Sequence, residues 1–395
     1  MSRLWDKGEP LDARVLAYTA GEDHALDDRL VSHDVRASLA HAAMLEARGL
    51  LSAADGDAIR AGLLALADEH ARGLWQVELA DEDVHTALER RLTERIGAGG
   101  GRVHLGRSRN DQVLAALRLW MRDEAVALAA AARAVAAALG EVAAAHAGVA
   151  LPGYTHLQPA MPSSVPLWAG GFAAELEDDA QGLEGTGRRI EKNPLGSAAG
   201  YGTPGLELDR EATRAALGFA AVHEPVTAVQ LSRGKAEAGL LFETHLLAQD
   251  LGRLAADLVW YASKELGFVE LPTAMTTGSS IMPQKRNPDL FELARAAGAV
   301  TLAALVEALA IPAKLPSGYH RDLQRLKAPL FRACDLARAT CDLMAATLPA
   351  LRFRPERIAL PAELHAAEQA HRLVLEEGIP FREAYRRVAA RLGGG

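Results

Sequence analysis

From Asn110 to about His146 the chain keeps one helical pattern without a break, with alanine, leucine and valine around most of its circumference. A helix that is apolar on nearly every side is a helix buried among others. At 1.5 Å per residue, some 35 residues make a rod of ~50 Å. Further long patterns run from Val165 through Trp168 and Phe172 to Glu184, from Leu240 to about Glu265, over Pro288–Ala310 and from roughly Leu326 to Thr347. Almost no segment alternates with the period of a strand, and no unit repeats at a fixed length. The expected fold is all-α, with a central bundle of long helices.

The flanking regions read as smaller helical pieces. Residues 1–20, with Trp5, Gly8 and Pro10, read as an extended arm. A helical pattern follows from Asp23 to Gly49, which suits a C-cap. Ser52 opens the next helix with Asp55 three residues on. Asp81-Glu82-Asp83 starts another that runs through Leu88 and Leu92 to Ile96, and Asp81 and Glu82 read as first-turn acids favoured by the helix dipole. The glycine run Gly97–Gly101 reads as a flexible connection, since no strand precedes it and no GKS/T follows. Past Pro355, Pro361 and Pro380 punctuate two short helices. The expected domains are 1–106, 107–350 and a short 351–395.

Length, at 395 residues, exceeds one ordinary core. A net charge of −8 argues against nucleic acid or an anionic membrane as the main partner. Alanine-rich runs such as Ala125–Ala138 lack the bulk of a membrane span. Met1–Pro10 does not look like a signal sequence. Cys334 and Cys341 read as small buried residues, neither a disulfide framework nor a metal site. A reducing cytoplasm fits these features.

Three polar turns interrupt the helical patterns. Seven of the nine residues in His104–Gln112 carry polar side chains that can hydrogen-bond, and Asn110 or Asp111 caps the long helix. A helix N-terminus beside Ser108, Arg109 and Asn110 is a natural carboxylate seat; plain capping would explain one or two of these residues but not all. Leu151–Ala160 is a second, proline-flanked turn, holding Thr155 and His156. Gly278-Ser279-Ser280-Ile281-Met282-Pro283-Gln284-Lys285-Arg286-Asn287-Pro288 is the third. It gathers two hydroxyls, a lysine, an arginine and a carboxamide. Polar loops on a rigid scaffold are where chemistry tends to sit, although a solvated inter-helix loop has the same composition.

The third turn resembles the signature loop of the fumarase/aspartase superfamily, whose members cleave a C–N or C–O bond and release fumarate. The sequence is most similar to the argininosuccinate lyase branch. Ser-Arg-Asn-Asp-Gln at 108–112, Gly-Tyr-Thr-His-Leu-Gln-Pro at 153–159, Glu-Asp-Val-His-Thr at 82–86 and Tyr319…Arg321-Asp322-Leu323-Gln324…Lys327 carry that likeness. It implies cleavage of argininosuccinate to arginine and fumarate, with no metal or organic cofactor. By resemblance Ser279 takes the proton. Lys285 supplies positive charge to it and, with Asn287, holds the developing aci-carboxylate. His156, polarised by Glu292, serves the leaving nitrogen directly or through water. Ser108, Arg109, Asn110 and Thr155 bind the fumarate-side carboxylates, and Asp83, Tyr319, Gln324 and Lys327 face the arginine portion. The likeness further implies a homotetramer whose active sites are shared between chains, because turns at opposite ends of ~50 Å helices cannot meet in one subunit. The helix face carrying Trp168 is expected to be covered in that assembly.

The chain also departs from this branch. Leu4-Trp5-Asp6-Lys7-Gly8-Glu9 replaces the usual Leu-Trp-Gly-Gly-Arg-Phe, and Gln324-Arg325-Leu326-Lys327 replaces Gln-Glu-Asp-Lys. A substrate-binding serine expected ahead of 27–30 is absent, with Glu22, Asp23 and His24 in its neighbourhood. Two other readings stand beside the first: another fumarate-releasing enzyme, chiefly adenylosuccinate lyase, and a non-catalytic relative on the same fold.

Overall fold

A computed structural model describes residues 12–393. The Leu4–Glu9 departure lies outside the described residues. The architecture is helical, and its packing resolves into two compact units. One takes the chain up to Ala127, Gly182–Thr244 and Leu302–Asp335; the other takes Leu128–Gln181, His245–Thr301 and the chain from Leu336 on.

In the first unit, the expected arm ends in a helix, Ala13–Ala20, capped by the Asp12 carboxylate. The next helical stretch divides into Asp23–Asp27, a 3-10 turn and Val31–Ala47. The last of these ends as expected at glycine: Gly49 has φ +68°, its amide donates to the Glu46 carbonyl, and the Leu50 amide donates to Leu45. This is a Schellman cap. Ala53–Ala71 follows, its Ser52 hydroxyl accepting from the Asp55 amide at 3.2 Å. Helix Val84–Ile96 packs on it, and Gly62 permits the approach; a Cβ there would stand 2.5 Å from Leu92. Asp81 and Glu82 precede this helix rather than forming its first turn. Both are buried, Glu82 at φ +67° and Asp81 paired with Arg90 and Arg91. The glycine run is a 3-10 helix, Gly97–His104, not a flexible connection. Gly100 presses on the Thr93 backbone, where a Cβ would meet atoms at 2.8 Å.

In the second unit, buried side chains recur at alternating four- and three-residue steps: Leu128, Ala132, Val135, Leu139 and Val142 on helix Arg109–Ala145, and Leu247, Leu251, Leu254 and Leu258 on helix Lys235–Tyr261. Ala337, Cys341 and Met344 continue the stripe on helix Lys327–Thr347. Such spacing lines one face of a bundle helix. Trp168 is packed by its own chain, contrary to expectation: its indole donates to Asp257 at 2.9 Å and its ring meets Phe172, Tyr261 and Phe353. The tail forms the helix pair Ala366–Glu377 and Phe381–Arg391 around Ala370, Leu373, Ala384 and Val388.

Strands are few but not absent. Ala150–Thr155 and Gln158–Ser164 pair as an antiparallel hairpin, and two further pairs of two residues each complete the strands of the described residues. Helices Arg109–Ala145 and Asp289–Ala310 are long and apolar enough to cross a membrane by length and composition, a test that bundle-core helices also pass. The first carries Asp111 and Arg118 with no exposed surface, and Arg118 donates to Ser232 at 2.7 Å and to the Lys192 carbonyl. Cys334 and Cys341 are buried free thiols, their pKa values pushed up by burial.

Candidate active site

The first unit contains a pocket of about 150 Å³ where three element ends converge. Asp83 comes from the start of Val84–Ile96, Arg109 and Asn110 from the start of Arg109–Ala145, and Tyr319, Arg321, Gln324 and Lys327 from the 3-10 segment leading into Lys327–Thr347. Asp23, Asp27, His85 and Arg233 complete its charged lining.

Ser108, rather than Asn110 or Asp111, caps the long helix. Its hydroxyl accepts from the Asn110 amide at 3.3 Å, and Asp111 accepts from the Ser108 amide at 3.0 Å, a reciprocal arrangement of capping-box type. Asp111 is wholly buried and also accepts from the Gly196 and Ala198 amides at 3.0 and 2.8 Å. Burial, opposed by these amides and by Arg107, pushes its carboxyl up to about 6. Asp111 thus ties the 196–198 loop to the helix start and leaves Arg109 and Asn110 to face the pocket.

Asp83 caps its helix by accepting from the Thr86 amide at 2.9 Å, and it pairs with Arg109. Burial would raise its carboxyl, but His85 and Arg109 hold it below the usual carboxylate range. Behind it, His85 Nδ1 bonds the wholly buried Asp34, which also accepts from Ser38 at 2.9 Å and Gln112 at 3.2 Å. Burial favours the neutral ring, yet Asp34 foremost keeps the His85 pKa raised. At the other end Lys327, 2% exposed, sets Nζ 2.7 Å from Asp23 and also pairs with Asp27. Burial works against its charge, and these two carboxylates more than restore it. Gln324 and Arg321 both line the pocket and donate to the Thr19 carbonyl at 2.9 and 3.0 Å. Arg233 is held by Glu237 at 3.3 Å and by the Leu323 carbonyl, leaving Nη1 without a protein partner.

Thr155, His156, Ser279, Lys285, Asn287 and Glu292 lie in the second unit, outside this pocket. Thr155 and His156 stand at the exposed tip of the hairpin. His156 and Leu157 take φ +55° and +59°, the two left-handed positions of a type I′ turn, at residues that usually avoid them. Below the tip Tyr154 packs edge-on against Trp260 at 4.5 Å, so the hairpin base is fixed and its tip is presented to solvent.

The 278–287 loop is closed at its base by the Thr277 and Asn287 backbones, which exchange hydrogen bonds of 3.1 and 2.9 Å. Within it the Ser279 hydroxyl accepts from the Ile281 and Met282 amides at 3.4 and 3.2 Å, and the Lys285 amide returns to the Met282 carbonyl at 3.0 Å. Two amides aimed at one hydroxyl oxygen would stabilise negative charge on it. Ile281 is 83% exposed, and Lys285 and Glu292 are exposed as well.

Residues 10–302 match the model of the lyase family. The argininosuccinate lyase of Sorangium cellulosum (strain So ce56) is 47% identical over 392 residues, spanning 99% of this chain and 90% of its own. The chain belongs to the argininosuccinate lyase family. The argininosuccinate lyase of Stenotrophomonas maltophilia (strain K279a) is 42% identical over 98% of this chain and 90% of its own. Among solved structures, an EDDS lyase in complex with formate superposes with a TM-score of 0.81 at 26% identity, over 96% of this chain and 76% of that one. A class II fumarase from Schistosoma mansoni shares the fold, with a TM-score of 0.78 at 19% identity over 98% and 91%.

Within this argininosuccinate lyase family fold, six of the residues expected from sequence meet in one pocket: Asp83, Arg109, Asn110, Tyr319, Gln324 and Lys327. The sequence did not single out Asp27, Asp34 or Arg233, held His85 only within the 82–86 motif without a role, and presented Asp23 only as a departure. A signal was present for two of them. Asp27 and Asp34 are seven residues apart on the buried face of a helical pattern, where a charged side chain needs a partner.

Proposed function

We propose that the chain catalyses the reversible elimination of argininosuccinate to arginine and fumarate in the cytoplasm. The reading is carried by the pocket just described, on a chain 47% identical over 99% of its length to an argininosuccinate lyase. It sets Asp23, Asp27 and Asp83 against Arg109, Arg233, Arg321 and Lys327. A substrate bearing both carboxylates and a guanidinium needs partners of both signs.

Ser279 removes the proton beside the substrate carboxylate; the amides of Ile281 and Met282, with Lys285, stabilise its alkoxide form. The electrons left on carbon pass into that carboxylate, held by Lys285 and Asn287, then form the C=C bond as the C–N bond breaks. The departing guanidino nitrogen receives a proton from His156, directly or through water, with Glu292 polarising the ring. Ser108, Arg109, Asn110 and Thr155 hold the fumarate-side carboxylates. Asp83, Tyr319, Gln324 and Lys327 hold the arginine portion. Incubation with argininosuccinate should yield arginine and fumarate in equal amounts. Conversion of adenylosuccinate to AMP and fumarate, or no fumarate from either compound, would reject this reading in favour of one of the two others.

The proposed working form is a homotetramer built on the 107–350 segment, flanked by 1–106 and 351–395, with each active site assembled from several chains. Supporting it, helix Asp289–Ala310 leaves Leu293, Leu302, Val306 and Leu309 between 46% and 73% exposed, more apolar surface than one helix usually shows to water. Mixing His156→Asn chains with Ser279→Ala chains, then unfolding and reassembling them, should restore about a quarter of wild-type activity, since random combination leaves some sites with neither lesion. No recovery in mixed tetramers verified by mass spectrometry would reject the shared site.

A further inference from the structure

The Lys327 end of the pocket is crowded with carboxylate. An ammonium has three donors; one N–H of Lys327 Nζ serves Asp23 at 2.7 Å and another serves Asp27. Asp27 is wholly buried and held a second time, by the Val84 amide at 3.2 Å. Asp23 is held by Lys327 and faces the pocket. Any ligand carboxylate that reaches Lys327 therefore arrives beside two others. Three carboxylates cannot all stay ionised around one buried ammonium. A pair at contact distance shares a proton instead, as close carboxyl dyads do.

We propose that Asp23 is a specificity-determining residue that guards Lys327: a ligand carboxylate binds at this end of the pocket only together with one proton, taken up by Asp23. A ligand with an amine and no carboxylate at that position enters without the proton. This rests on the reading above, in which the arginine portion occupies this pocket. Asp23 is suited to the exchange. Burial, with Asp27 and Asp83 adding and Lys327 opposing, pushes its carboxyl up to about 7, so the proton is gained or lost near neutrality. The other charged or titratable groups of the pocket wall are His85, Arg109, Arg233, Arg321 and Tyr319. The first four are cationic or hydrogen-bonded to a buried acid, and none touches the Asp23–Lys327 pair as Asp27 does.

The test uses L-arginine and agmatine, which is arginine without its carboxylate, as calorimetric probes of the whole protein in buffers of different ionisation enthalpy. Arginine should bring in close to one proton at pH 8 and about a tenth of one at pH 6, while agmatine brings in almost none. Arginine affinity should be flat below pH 7 and fall about tenfold per pH unit above it. Asp23→Asn, which keeps the side-chain shape and removes the titration, should abolish both the proton uptake and the slope. Arginine bound at pH 8 without proton uptake by the wild-type protein overturns the proposal, even if the variant does not fold. So does uptake that persists unchanged in Asp23→Asn. Fumarate release from argininosuccinate by the same preparation separates the two failures. Fumarate without proton uptake sinks this inference alone; no fumarate and no arginine binding sinks both.

Discussion

Replacing Ser279 with alanine is expected to cut fumarate release by about 10²–10⁴-fold, the usual span for loss of a positioned base. The hydroxyl sits in an exposed loop whose base is closed by the Thr277–Asn287 backbone pair, so its removal should leave helical content and assembly unchanged. The amides of Ile281 and Met282 converge on this oxygen, whereas Ser280 stands exposed one residue on. Single-turnover assays of both alanine variants check the assignment. Retention of more than about a tenth of wild-type turnover by Ser279→Ala would move the base to another residue, with Ser280 the first to examine.

Lys327→Met is expected to lower the unfolding free energy by about 3–5 kcal/mol, because it strands Asp23 and Asp27 in a buried site without their cation. The sign of its pH dependence follows from Asp23. Burial raises that carboxyl to about 7 in the folded protein, above its ordinary value, so the folded state binds more protons than the unfolded one between these limits. Lys327 opposes that rise, so in the variant the carboxyl is pushed higher still; the stability of the variant should rise as the pH falls through 7 and below, and the deficit against wild type should be larger at pH 8 than at pH 6. Urea unfolding at pH 6 and pH 8 measures this. A deficit under about 1 kcal/mol at both values would mean that the two carboxylates are solvated, not buried.

Much of the fold could be read from the chain because its main elements rest on local pattern. Val165–Gly185 and Asp289–Ala310 end within a residue or two of where apolar periodicity and proline place them. The hairpin at 150–164 could not. Its strands carry Pro152, Pro159 and Pro162, and its turn is His156-Leu157 rather than Asn-Gly or Asp-Gly, so neither strand composition nor turn chemistry announced it. The glycines at 97–101 looked like slack, yet Gly100 is the residue that lets a 3-10 helix lie against Thr93.

The site divides in the same way. Motif residues such as Arg109, Asn110 and Lys327 announce themselves by clustering in polar turns. Their partners do not, because those contacts span the chain: Asp27 meets Lys327 across 300 positions, and Asp34 meets His85 across 51. Lys327 read as a substrate ligand in sequence; in the fold it is already bound by two acids, and that pairing makes the end of the pocket selective.

A crystal structure of the Ser279→Ala protein with argininosuccinate bound tests the account most directly. The arginine portion should lie against Asp83, Tyr319, Gln324 and Lys327 of one chain. Its succinate carboxylates should meet Ser108–Asn110 together with Thr155 and the 278–287 loop, these last two supplied by neighbouring chains, with the proton on the succinate carbon next to the nitrogen-bearing one facing position 279. Argininosuccinate seated away from the Asp83–Lys327 pocket, or enclosed entirely by residues of one chain, would contradict it.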